Sequence, residues 1–169
     1  MLEKPNFYSV ISGTELLNGR RKDAHFAVLN QQLLSRGWEQ KASFVINDNT
    51  NLMENIFNLI KSDPNSVMFC FGGIGATPDD YTRVVAGKVF RDGKMEFHEE
   101  AKNRILNQFG TEAYPHRINM AYLPINAKLL TNVVNNVAGF YLEDRFFFTP
   151  GFPSMSQAMV IEALDKIYP

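Results

Sequence analysis

The segment Gly72-Gly73-Ile74-Gly75-Ala76-Thr77-Pro78-Asp79-Asp80 combines glycines, a hydroxyl and paired carboxylates in a pattern suited to phosphate chemistry. Glycines let a backbone approach a phosphate closely, and the free N–H groups at the start of a following helix attract an anion. The stretch is not a P-loop, because no Gly-Lys-Ser/Thr follows it. It also departs from the dinucleotide pattern G-x-G-x-x-G, since Pro78 holds the last place. Adjacent carboxylates repel phosphate unless a divalent cation lies between them, so Mg²⁺ or another divalent cation is the inferred companion.

A purely structural reading fits the same residues. Thr77 would be an N-cap, Pro78 the first helical residue and Asp80 the third, close to a capping box. Two acids in a first helical turn also complement the helix dipole. The sequence leaves both readings open, and both can hold at once.

Other candidates lie elsewhere in the chain. Asp48 sits in Ile46-Asn47-Asp48-Asn49-Thr50, where an Asx turn ahead of a helix is the structural alternative. Glu15 follows Gly13-Thr14, and Pro150-Gly151-Phe152-Pro153 would by itself be a rigid turn. His25, His98 and His116 lack metal-ligand spacing and read as surface or polar core residues. Arg20-Arg21-Lys22 could steer an anion but reads first as a solvated loop, and Phe146-Phe147-Phe148 as a core strand. No Ser-His-Asp or Cys-His arrangement is present to argue from.

The elements that must position these residues can be read from hydrophobic period. Residues 7–11 form a β-rich run ended by Ser12-Gly13-Thr14. From Ala24 the period becomes helical, with Phe26, Leu29 and Leu33 on one face, Ala27 and Leu34 beside them, and Gly37 as a stop. Residues 42–46 read as a second strand. Leu52, Met53, Ile56, Phe57, Leu59 and Ile60 mark an amphipathic helix closed by Asp63-Pro64-Asn65. Residues 66–71 are a near-continuous apolar run, as in a parallel strand buried on both faces. Helices are expected over about 79–90, 99–109 and 154–167. Strands are expected over 128–130, 139–142 and 145–149, with Glu143-Asp144 as a hairpin turn. Residues 110–119 carry no assignment.

Strands alternating with helices imply right-handed βαβ units. The expected fold is α/β, a three-layer sandwich with a mostly parallel sheet, formed as one domain over residues 1–169. Ligands of such sheets bind beyond the carboxyl ends of the strands. Four segments would then meet on one rim: Gly13, Thr14 and Glu15; Asn47 and Asp48; residues 72–80; and residues 150–153.

Composition narrows the partners. The chain has 169 residues, 45% apolar and 21% charged, which excludes disordered and fibrous classes. A chain of this length buries roughly 70% of its unfolded surface and needs no disulfide or structural metal to fold. Seventeen Lys and Arg against eighteen Asp and Glu give a net charge of −1, which argues against electrostatically driven nucleic-acid or membrane-surface binding. The single cysteine, Cys70, has no internal partner and falls in an apolar strand. The first six residues lack the features of a signal peptide, and no apolar run approaches the ~20 residues of a bilayer span. A cytoplasmic protein is expected.

Taken together, Gly13-Thr14-Glu15-Leu16-Leu17-x-Gly19, Asp48-Asn49, Gly72-Gly73-Ile74-Gly75-x-Thr77-Pro78-Asp79-Asp80-x-Thr82 and Pro150-Gly151-x-Pro153 resemble the molybdopterin-binding (MoaB/Mog-type) domain family. The resemblance runs from about Tyr8 to the last helix and is closest to the branch at the N-terminus of competence/damage-inducible protein CinA. It implies a three-layer α/β fold and a homo-oligomer, trimer or dimer. It implies molybdopterin or a nucleotide as ligand at the strand-end rim. The activity implied is either Mg²⁺-dependent AMP transfer to molybdopterin or cleavage of ADP-ribose-type pyrophosphates. Gly72, Gly73 and Gly75 would cradle phosphate, and Asp80 and Asp48 match the family's functional aspartates, as catalytic and metal-holding residues. Gly13, Thr14, Glu15, Thr77, Pro150 and Gly151 would complete the ligand site. A CinA protein continues into further domains, including an amidohydrolase part that 169 residues do not accommodate, so no deamidase activity is expected.

The sequence departs from that branch at three places. Gly-Thr-Ala-Pro-Gly-Phe appears as Asn135-Asn136-Val137-Ala138-Gly139-Phe140, the Asn of Asp-x-Asn is His25, and a Lys/Arg-Gln pair is Asn119-Met120. Two functions therefore stay open. One is a Mg²⁺-dependent enzyme acting on a phosphate-bearing pterin or nucleotide; the other is a non-catalytic binding module that keeps the anion site.

Overall fold

The computed structural model describes residues 2–132, 134–135 and 137–169. The first strand, β1 (Asn6–Ser12), leads through the short helix α1 (Thr14–Leu17) into α2 (His25–Leu34). Then come β2 (Gln40–Ile46), α3 (Thr50–Ser62), β3 (Ser66–Phe71) and α4 (Thr82–Phe90). A small excursion follows: β4 (Met95–Phe97), α5 (Glu99–Phe109), two 3-10 turns and β5 (Tyr122–Pro124). The chain closes with β6 (Lys128–Leu130), β7 (Gly139–Leu142), β8 (Phe146–Thr149) and α6 (Pro153–Ile167).

The main sheet has the order β2-β1-β3-β8-β7-β6. Its first four strands run parallel, β7 pairs antiparallel with β8, and β6 pairs antiparallel with β7. The expected three-layer α/β sandwich with a mostly parallel sheet is therefore observed. β3 lies at the centre and is buried along its whole length. Because strand side chains alternate between faces, it feeds two cores at once. Val67, Phe69 and Phe71 pack with Leu29 and Leu33 of α2 and Val160 and Leu164 of α6. Met68 and Cys70 pack on the other face with Phe57 of α3 and Val85 and Val89 of α4. Burial pushes the Cys70 thiol pKa up, so this thiol is inert core.

The turn between β7 and β8 is the one expected at Glu143-Asp144. Both residues have positive φ, 58° and 53°, and the Arg145 N–H donates to the Leu142 carbonyl at 3.1 Å.

Several expectations require correction. The buried face of α2 is His25, Leu29 and Leu33, whereas Phe26 and Leu34 are exposed; His25 takes the buried place because Gly151 and Ser156 satisfy its ring and Phe71 stacks on it. On α3 the buried residues are Met53, Phe57 and Ile60, while Leu52 and Leu59 face outward. The region 110–119 forms 3-10 turns, and the antiparallel pair β4–β5 was not anticipated, since its strands are short and far apart in the chain. Most consequential for function, α4 begins at Thr82 rather than near Asp79, and Thr77 is not its N-cap. Among the described residues, no helix is long and apolar enough to cross a membrane.

Candidate functional site

The carboxyl ends of β1, β2, β3 and β8 lie on one rim because these strands are parallel, and a cleft of about 490 Å³ opens there. Gly13, Glu15, Asp48, Gly72, Gly73, Gly75, Thr77, Asp80, Pro150 and Gly151 all line it. Thr14 stands behind this lining and acts on it through Asp48.

Asp48 follows β2 and is held by the end of β1. Its Oδ1 accepts from Ser12 Oγ at 3.2 Å and its Oδ2 from Thr14 Oγ1 at 3.0 Å. The backbone N–H of Asp48 in turn donates to Thr14 Oγ1 at 3.4 Å. Two hydroxyls thus orient the carboxylate and leave lone pairs on both oxygens for another partner.

The glycine loop after β3 is shaped by close backbone approaches. Gly72 has φ +102°, and a Cβ there would stand 2.8 Å from the Ser12 carbonyl oxygen. Gly73 has φ +73°, and a Cβ there would lie 2.1 Å from Thr82 Oγ1. That buried hydroxyl donates to the Gly72 carbonyl at 2.9 Å, while the Thr82 N–H donates to the Gly73 carbonyl at 3.0 Å. Thr82 therefore locks the loop onto the start of α4.

Asp80 closes a separate turn before the helix. Its Oδ2 accepts from the Thr77 N–H at 2.9 Å and from Thr77 Oγ1 at 2.8 Å, and its own N–H donates to the Thr77 carbonyl at 3.0 Å. The capping reading is corrected accordingly: Thr77 donates its hydroxyl instead of accepting with it, and the helix starts five residues later in the chain.

Arg83 holds the loop from below. Its Nη1 donates to the Ile74 carbonyl at 2.5 Å and the Gly75 carbonyl at 2.8 Å, and the residue is buried. Burial pushes its pKa down, opposed by the Asp80 carboxylate nearby. Beside the glycine loop, the Gly151 carbonyl accepts from His25 Nε2 at 3.0 Å and, weakly, from Arg21 at 3.4 Å. Arg21 also lies 3.6 Å from Glu15. A Cβ on Gly151 would sit 3.5 Å from the Gly72 Cα, so the Pro150-Gly151 turn packs directly against the glycine loop.

Sequence reasoning assigned no role to Thr82, Arg83 or His25 and left Arg21 in a solvated loop. Thr82 did stand in the glycine-loop motif, and His25 lies two residues after Asp23, whose carboxylate accepts from the His25 and Phe26 N–H groups at 2.8 and 3.1 Å. Of the departing segment at 135–138, Asn135 and Val137 line the cleft, and Asn136 lies outside the described residues.

The cleft's charge balance decides what it can hold. Glu15, Asp48, Asp79 and Asp80 line it against the single guanidinium of Arg21. Among the described residues, no three His, Cys, Asp or Glu side chains are arranged as a closed metal cage. Mg²⁺ does not ask for one: it commonly takes one or two carboxylates, several waters and ligand phosphates. Asp48 and Asp80 both line the cleft beside the glycine loop and are donors of the kind Mg²⁺ takes.

Comparison with known proteins agrees with this architecture. The chain is 32% identical over 160 residues to a CinA-like protein of Geotalea uraniireducens, covering 90% of this chain and 37% of that protein. It is 29% identical over 168 residues to a protein of Caldivirga maquilingensis, covering 95% of this chain and 64% of that one. The chain therefore spans less than two-thirds of the length of either relative. Its fold matches CinA of Thermoplasma acidophilum with a TM-score of 0.85 at 24% identity, covering 96% and 97% of the two chains. It matches the molybdopterin biosynthesis enzyme MoaB of Thermus thermophilus with a TM-score of 0.61 at 13% identity, covering 97% and 91%. Residues 9–168 match the family model described as "Probable molybdopterin binding domain", and the chain belongs to that family.

Proposed function

We propose that the cleft binds a phosphate-bearing pterin or nucleotide together with Mg²⁺ or another divalent cation, and promotes attack on the phosphate. The observation that carries this reading is the placement of the Asp48 and Asp80 carboxylates in one cleft with the backbone of Gly72, Gly73 and Gly75. Mg²⁺ bound there would neutralise charge on the phosphate oxygens and orient the attacking oxygen. Asp48 and Asp80 would hold the cation, Asp48 aimed by the Ser12 and Thr14 hydroxyls and Asp80 by that of Thr77. The Gly72 N–H is taken by the Thr149 carbonyl at 2.9 Å, so the N–H groups of Gly73 and Gly75 are the ones that would stabilise negative charge growing on the phosphate during attack. Arg83 and Thr82 keep those groups in place, and Thr77 fixes the Asp80 rotamer. Adenylyl transfer to molybdopterin and cleavage of an ADP-ribose-type pyrophosphate, the two reactions the family resemblance implies, both need this apparatus, and the match to a probable molybdopterin binding domain supports a pterin as ligand. The protein would act in the cytoplasm as a homo-oligomer, trimer or dimer, as the family resemblance implies. Incubation with ADP-ribose, or with ATP and molybdopterin, in Mg²⁺ or Co²⁺ should yield product; no turnover of any of them removes the catalytic reading.

A second reading is a binding module that retains the anion site without turnover. It is favoured by Met120 and Asn135, which line the cleft and offer no cation or general acid. It requires ligand-dependent thermal stabilisation without reaction. An Asp80→Asn variant that lost a measurable reaction while still binding would rule it out.

A further inference from the structure

We propose that Phe152 is the specificity-determining residue of the cleft: a stacking platform for the planar heteroaromatic ring of a phosphate-bearing ligand. The inference rests on the phosphate site proposed above and adds the group that reads the other end of the ligand.

Phe152 is the most exposed phenylalanine among the described residues, at 61%, against 47% for Phe97 and 42% for Phe26. It lines the cleft and makes no ring or cation contact. Leaving a phenyl ring in water forgoes its burial energy, so a ring kept open inside a cleft invites a partner. Its backbone is nonetheless rigid. The preceding carbonyl is held by His25, its own carbonyl accepts from the Met155 and Ser156 N–H groups at 2.9 and 3.0 Å, and Pro153 follows. Extended φ and ψ of −94° and 120° are those a residue before proline adopts. The loop therefore presents the ring from a fixed backbone, leaving only its side-chain torsions to be ordered on binding.

The neighbours define what that ring would take. Gly151, one residue away, packs on Gly72, so the phosphate cradle and the ring are adjacent along one wall. Met120, Val137 and Met155 line the same cleft, so it offers apolar surface as well as carboxylates. Methionine sulfur and phenyl faces both favour polarisable aromatic rings, and stacking of this kind is tolerant of the ring's identity. A purine or a pterin carrying a phosphate uses both kinds of surface; a sugar phosphate uses only one.

The test compares probes with and without a ring, using the whole chain in Mg²⁺: AMP, neopterin monophosphate and ribose 5-phosphate, by titration calorimetry. Wild-type protein should bind at least one ring-bearing probe more tightly than ribose 5-phosphate. Phe152→Ala should weaken that probe about tenfold and leave ribose 5-phosphate within about twofold, while Phe152→Trp should retain the preference. The apo melting temperature should stay unchanged in both variants, since the side chain packs against little. Equal loss for all probes, no loss, or a change only in sedimentation would overturn the role of Phe152 while leaving the phosphate site standing. Failure of wild-type protein to bind any of the probes, or inorganic phosphate, would overturn the phosphate site and this inference together.

Discussion

His25 Nε2 lies 3.0 Å from the Gly151 carbonyl oxygen and ties the start of α2 to the turn that carries the outer edge of the cleft. A carbonyl can only accept, so Nε2 carries the proton, and Nδ1 of the neutral ring accepts from Ser156 Oγ at 3.3 Å. The ring also stacks on Phe71 at 4.4 Å between centroids. A neutral imidazole is thus built into the support of the site.

This arrangement predicts a pH dependence. Burial is the largest influence on His25 and lowers its pKa from the ordinary 6.5, while the Gly151 carbonyl and Asp23 pull it the other way and Arg21 lowers it further. The unfolded chain therefore takes up a proton that the folded chain resists as pH falls. The stability His25 contributes is fully present above pH 6.5 and is lost as pH falls through its lower, folded value. Urea unfolding of wild type and His25→Gln at about pH 8 and about pH 5 should show a smaller pH-linked loss in the variant. An equal slope would remove His25 as the source.

Asp80→Asn should separate structure from chemistry. The amide oxygen of Asn can still accept from the Thr77 N–H and hydroxyl, so apo stability should change by less than about 0.5 kcal/mol. The stabilisation conferred by Mg²⁺ with AMP should disappear, because the charge is gone. Thr77→Ala removes one partly solvated hydrogen bond, costs at most about 1 kcal/mol, and should weaken but retain the ligand response. Thermal melts with and without Mg²⁺ and AMP check all of these outcomes.

Gly73→Ala should be far more damaging. The new Cβ would lie 2.1 Å from Thr82 Oγ1 at a backbone φ of +73°, so both sterics and conformation oppose it. A loss of roughly 2–4 kcal/mol is expected, together with loss of ligand binding. Gly19→Ala, at φ +81° but with open space around it, should cost less, and the pair of denaturation curves isolates the steric part.

Arg83→Met keeps much of the side-chain volume and removes both hydrogen bonds to the loop. The Ile74 and Gly75 carbonyls would lose a charged donor, at about 1–3 kcal/mol for the site. Ligand affinity should fall as well, although Arg83 itself does not line the cleft. Hydrogen exchange of the amides at 72–77 should accelerate; unchanged exchange would show that Arg83 does not hold the loop.

Where the physics is local, the sequence determined the outcome. The apolar run at 66–71 reads as a strand buried on both faces, and β3 is that strand. Glu143-Asp144 between apolar runs predicted the turn that joins β7 and β8. Placing Asp48, Asp80, Gly72 and Gly151 on one rim needed only parallel strands and their order. Tertiary structure decided what depends on partners distant in the chain. Thr77 had every local feature of an N-cap, yet the helix starts at Thr82, whose hydroxyl finds the Gly72 carbonyl of a loop held to β8 by the Gly72 N–H on the Thr149 carbonyl. His25 looked like one polar residue among three, and became buried because Ser156, Gly151 and Phe71, all contributed by other elements, satisfy its ring on every side. A hydrogen-bonding group is assigned by whichever partner the packed chain delivers to it. Sequence spacing lists only the neighbours, so the supports of this site emerged only when the sheet brought its loops together.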